Sequence, residues 1–124
     1  MTAIDLNALG VMLDPSAMAK VMSIVRASGG RCVAYFDIDG TLLKDDNVPN
    51  RYVLALLKHL HERGCLIYLW SAGGEGNCRR VAAHCGIEAL VSAYLPKPVI
   101  SVDDMSYDDY VFLKLHPSDL EPKE

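Results

Sequence analysis

Asp37 and Asp39 stand two residues apart, behind the apolar run Cys32-Val-Ala-Tyr-Phe36 and ahead of Gly40 and Thr41. In an extended segment, side chains two apart share a side, so both carboxylates face one way while Ile38 turns to the core. Two carboxylates at the end of a buried strand are costly to desolvate unless something cationic sits between them. A divalent cation with oxygen ligands, most naturally Mg²⁺, meets that need. Gly40 lets the chain leave the strand in a conformation that other residues resist. The same residues also suit a solvated Asp-x-Asp-Gly turn or the start of a calcium loop. An EF-hand loop needs further spaced oxygen ligands and a closing Glu. Here Leu42 and Leu43 follow instead, and no Glu occurs before Glu62.

The elements that must position these acids can be read from hydrophobic period and from caps. Asp14-Pro15-Ser16 starts a helix, with Asp14 capping and Pro15 in the first turn. Its apolar stripe runs from Ala17 to Val25, and Gly29-Gly30 ends it. After the strand Cys32–Phe36, Pro49 opens a second helix whose Tyr52, Val53, Leu56, Leu57 and Leu60 keep helical spacing up to Gly64. Cys65-Leu-Ile-Tyr-Leu-Trp70 is a near-continuous apolar run, the pattern of a strand covered on both faces. It ends at Ser71-Ala72-Gly73-Gly74. A helix over Glu75 to Cys85 stops at Gly86. Ala89–Ala93 reads as a third strand, Val99–Val102 as a fourth ending at Asp103-Asp104, and Tyr110–Leu115 as an edge strand. The lead Met1–Leu13 is expected to be weakly structured, and the tail after Pro117 is expected to fray. Alternating strands and helices imply an α/β domain: a mainly parallel central sheet in a three-layer α/β/α, Rossmann-like arrangement. Ligands of such sheets bind outside the carboxyl ends of the strands, where Asp37, Asp39, Ser71, Asp103 and Asp104 all converge.

Phe36-Asp37-Ile38-Asp39-Gly40-Thr41-Leu42 resembles the first motif of the haloacid dehalogenase (HAD) superfamily of phosphatases and phosphotransferases. Ser71 resembles the second motif, Lys97 in Pro96-Lys97-Pro98 the third, and Asp103-Asp104 the fourth. The resemblance covers about residues 32 to 104. It implies that Asp37 is the nucleophile, forming an aspartyl-phosphate, and that Asp39 is the general acid and base. It implies that Thr41, Ser71, Ala72 and Lys97 hold the phosphoryl oxygens. Mg²⁺ would be held by Asp37, Asp39, Asp103 and Asp104, with Asp104 the more direct of the last pair and Asp108 a further candidate. An acid at position 39 marks a phosphatase rather than a dehalogenase within that superfamily. The segments after Asp39 and Ser71 leave no room for a cap domain. The substrate then expected is a small phosphate monoester, a phospho-sugar or nucleotide, hydrolysed within a homo-oligomer. A polynucleotide end is the alternative substrate, and Arg51 and Arg79-Arg80 are the residues that would grip an anion. Two other classes compete. A phosphorylatable receiver module also carries an acidic pair, an Asp, a Ser/Thr and a Lys-Pro, but in a different chain order. A degenerate domain that only binds would need a defect that the motifs do not show.

The 124 residues amount to one domain, 1–124, with residues 1–13 and 117–124 peripheral to the motif core. A net charge of −4 gives no general attraction to nucleic acid or an anionic membrane. No apolar run approaches the length of a membrane span, and the N-terminus lacks the basic start of a signal peptide. The four cysteines show no C-x-x-C spacing, which argues against a zinc site or disulfide framework and for a reducing cytoplasm.

Overall fold

The computed structural model describes residues 5–123. The expected lead therefore falls partly outside the described residues, at positions 1–4. Asp14 caps α1 (Pro15–Ala27) as its spacing foretells: its carboxylate accepts from the Ala17 N–H at 3.0 Å. This bond is the main reason the Asp14 carboxyl is held below the usual carboxylate range. Strand β1 (Val33–Asp37) follows, then α2 (Arg51–Glu62). Asn50, one residue after Pro49, is the cap of α2, accepting from the N–H groups of Tyr52 and Val53. Strand β2 (Leu66–Ser71), α3 (Glu75–Cys85) and β3 (Ala93–Pro96) complete the repeating unit. Gly86, at φ 72°, closes α3 in the left-handed conformation that glycine adopts without strain.

The result is a small α/β protein whose described residues form one three-stranded parallel sheet, ordered β1-β2-β3, and four helices. Val33 pairs with Leu66 and Asp37 with Trp70; Tyr68 pairs with Ala93 and Ser71 with Pro96. One face of the sheet carries Phe36, Ile67 and Leu69, which are buried under Val53, Leu54, Leu57, Val81 and Ala82 of α2 and α3. Each fully buried Leu of that layer stabilises the fold by about 1.5–3 kcal/mol. The opposite face bears Val33, Tyr35 and Leu66, each close to half exposed, with Tyr68 and Trp70 beside them. Tyr35 meets Tyr68 and Trp70 edge to face there, with ring centroids 5.2 and 4.8 Å apart. The apolar run of β2 is thus not covered on both sides as its sequence suggests.

Three expected strands differ. Residues 88–90 form a 3₁₀ turn, and the third strand begins only at Ala93. Val99–Val102 pairs with no strand among the described residues; Val99 and Val102 are each 98% exposed. A parallel return to the sheet needs a crossover of about a dozen residues or more, and only Lys97 and Pro98 separate this segment from β3. Within the expected edge strand, Tyr110 ends a short helix, α4 (Tyr107–Tyr110), set by a reciprocal cap between Ser106 and Asp109. Leu113 and Leu115 then lie against the core. The tail does not fray at once: a 3₁₀ turn spans Pro117–Leu120, Leu120 is buried, and its carbonyl accepts from the Asp14 N–H at 2.9 Å. Leu9 of the lead is buried too.

Candidate active site

The carboxyl ends of the three strands meet around Asp37. Its Oδ1 lies 3.0 Å from Lys97 Nζ, and its Oδ2 accepts from the Thr41 hydroxyl at 3.2 Å. Thr41 reaches back because the chain turns at Gly40, φ 79°, and the Leu42 N–H then bonds the Asp37 carbonyl. Lys97 is placed by its own backbone: its N–H donates to the Ser71 carbonyl at 2.9 Å, one residue beyond the β2–β3 ladder. Its ammonium also sits 5.6 Å from the centre of the Trp70 ring, a cation–π distance. Asp37 and Lys97 remain about one-third exposed, so a ligand can reach both.

Ser71 is buried, and its hydroxyl oxygen accepts from the Gly73 N–H and the Asn77 side-chain amide, both at 3.0 Å. With both lone pairs engaged, what Ser71 can offer a ligand is its hydroxyl hydrogen. The Gly73 position is tight: a Cβ there would stand 3.3 Å from Ser71 Oγ. Ala72 is exposed in the turn between β2 and α3. Asn77 escapes a motif reading, yet it ties the end of β2 to the first turn of α3 and is itself bonded by Arg80. The available signal is its place in that first turn, where a short amide reaches the preceding strand.

Asp39 is exposed beside the Gly40 turn and takes part in an isolated bridge with Leu43, since β1 already ends at Asp37. Asp103 and Asp104 are exposed, and Asp103 Oδ1 accepts from the Met105 N–H at 3.0 Å. Asp108 lies in α4. Among the described residues no group of three or more His, Cys, Asp or Glu side chains could hold a metal ion. The Asp37, Asp103 and Asp104 carboxylates, expected to join the Asp39 backbone carbonyl on Mg²⁺, therefore do not form one such group in this arrangement, and Lys97 is the cation found at Asp37. Of the expected anion grips, Arg51 donates to the Leu9 carbonyl, while Arg79 pairs with Glu75 and lies over the Tyr94 ring.

The cysteines are all free. Burial pushes the Cys65 thiol up to about 12, with Cys32 adding to the effect, and pushes Cys85 up to about 11. Burial also raises Cys78. These thiols stay protonated at neutral pH and supply no nucleophile there. Among the described residues no helix is long and apolar enough to cross a membrane. No protein-family model, curated protein or solved structure matches the chain.

Proposed function

We propose that the chain is a HAD-like phosphatase that hydrolyses a small phosphate monoester through an aspartyl-phosphate on Asp37. The observation that carries this reading is the Asp37 carboxylate held between the Lys97 ammonium and the Thr41 hydroxyl, about one-third exposed at a strand's carboxyl end. A carboxylate in that position can attack phosphorus in line while Lys97 offsets the charge of the nucleophile and the phosphoryl group. The bond from phosphorus to the ester oxygen breaks as the new bond to an Asp37 oxygen forms, and Asp39 gives its proton to the departing oxygen. Water then attacks the same phosphorus, Asp39 takes its proton, and inorganic phosphate leaves Asp37 free. Ser71 and the exposed turn at Ala72 and Gly73 are the proposed hold on the remaining oxygens.

Mg²⁺ belongs to the proposal through Asp37 and Asp39, where it would neutralise phosphoryl charge. Asp103 and Asp104 join that set only if their segment moves to the strand ends. A three-layer arrangement likewise needs cover for the open sheet face. With no cap in cis, a second copy or the substrate itself must exclude water. A phospho-sugar or nucleotide in a reducing, cytoplasmic setting is the proposed substrate, with a polynucleotide end as the competitor.

The test is turnover of a generic aryl phosphate with Mg²⁺, followed by phospho-sugars, nucleotides and 5′- and 3′-phosphorylated oligonucleotides. In parallel, the Asp39→Asn variant is exposed to a substrate with a good leaving group and weighed intact. One added phosphoryl group, mapped to Asp37, is the expected result. No hydrolysis of any ester together with no adduct would sink the reading.

A further inference from the structure

The edge of β1 that faces away from β2 is bare. Among the described residues no strand pairs with it, and no backbone group from Val33 to Phe36 bonds outside the ladder with β2. Val33 and Tyr35 of this strand are close to half exposed on the open face beside that edge. Such an edge presents unpaired N–H and C=O groups and templates pairing with another strand. The usual guards are missing, since β1 reads Val-Ala-Tyr-Phe-Asp, without Pro or Lys.

The same chain carries a strand-like segment that pairs with no strand among the described residues. Val99-Ile100-Ser101-Val102 is β-branched at three of four positions, and those three side chains are 98%, 86% and 98% exposed. Residues of this kind fit a pleated, half-buried surface. In water they leave apolar area uncovered.

The two features cannot meet within one chain. Pro96 ends β3, at the opposite edge of the sheet from the bare side of β1. A strand placed beyond β1 lies three spacings from β3, about 14 Å at roughly 4.8 Å each. From Pro96 to Val99 the backbone spans at most about 11 Å. Lys97 shortens that reach, because its N–H is bonded to Ser71 and its ammonium to Asp37. A parallel return would also need the longer crossover that is absent.

We propose that the free edge of β1 takes the Val99–Val102 segment of a second copy of this chain, exchanged reciprocally in a two-fold dimer. Reciprocal exchange is closed, so it satisfies both edges and both segments without polymerising. Four residues exchanged in each direction make a small interface beside the roughly 1,600 Å² of a standard one, so association is weak and depends on concentration. The proposal does not depend on the reaction at Asp37.

Sedimentation equilibrium of the full chain, from about 1 to 200 μM, reads the association directly. A monomer–dimer equilibrium is expected. Ile100→Asp, on the segment, and Val33→Lys, on the edge, should each give a monomer at least tenfold higher in dissociation constant. Both positions are solvent-exposed, so circular dichroism and melting should stay as in the native chain. Met12→Ser, at an exposed apolar site elsewhere, should leave the dimer unchanged. A native chain that is monomeric throughout, an open-ended polymer, or a dimer that survives either Ile100→Asp or Val33→Lys overturns the proposal.

Discussion

Asp37→Asn separates chemistry from stability more sharply than any other single change. The asparagine is nearly the same size, and its two polar atoms can satisfy both neighbours. Its carbonyl oxygen can face Lys97 while its amide donates to the Thr41 oxygen. What is lost to folding is one ion pair between side chains that are 34% and 38% exposed, a setting in which such pairs contribute about 0.2–1 kcal/mol. For a domain of this length, 1 kcal/mol moves the melting temperature by roughly 3–6 °C. Turnover loses the nucleophile altogether, a fall on the order of 10⁴-fold or more, equivalent to at least about 5.5 kcal/mol of barrier. Aryl phosphate hydrolysis and a thermal melt on the same preparation measure the two effects side by side. Activity within tenfold of the native chain would refute the nucleophile assignment. A melting temperature lower by more than about 10 °C would refute the view of Asp37 as a lightly coupled, exposed group.

Other expectations follow from the same geometry. Mg²⁺, binding only the folded state, should raise the melting temperature of the native chain, by the equivalent of about 2.7 kcal/mol at a hundred times its dissociation constant. Asp37→Ala should show no such rise, and identical native melts in EDTA and in millimolar Mg²⁺ would remove the ion from the proposal. Ser71→Ala removes the acceptor shared by the Gly73 N–H and the Asn77 amide at a part-buried corner that water can reach, so unfolding in urea should show a loss of about 0.5–1.5 kcal/mol. An unchanged midpoint would mean that those donors find other partners. Cys65 and Cys85 ionise at about 12 and 11 when folded, against 9.0 for a free thiol, so above pH 9 the unfolded chain sheds protons that the native chain keeps. Stability should therefore be intact below pH 9 and decline from there towards pH 11–12. The slope should flatten in a Cys65→Ala/Cys85→Ala double variant, and a slope unaffected by those substitutions would contradict the burial argument.

Much of the frame was legible because its signals are local. The side chain of Asp14 and the Pro beside it mark the start of α1, and Gly86 marks the end of α3, through bonds made within a few residues. β1 and β2 announce themselves as apolar runs bounded by glycines. β3 is harder to see. Pro96 is its last residue, and proline ordinarily argues against a strand; here the missing N–H falls at the end of the ladder, where the Lys97 N–H takes up the next bond to Ser71. The strand expected from Ala89 starts late because Glu88–Leu90, with Glu and Ala that disfavour strands, closes a 3₁₀ turn just after Gly86.

The site divides along the same line. Asp37, Thr41 and Lys97 come together because each hangs on a strand end or on the turn directly after it, so local spacing carries them to one place. Asp103 and Asp104 could join only through a fourth strand, and that strand depends on a neighbour that hydrophobic pattern cannot supply. Val99–Val102 has every intrinsic preference for extended pairing, yet two intervening residues cannot return it to β1. Strand propensity is in effect a statement about a surface to lie on. In a single copy of this chain that surface exists, at the bare edge of β1, but it lies out of reach.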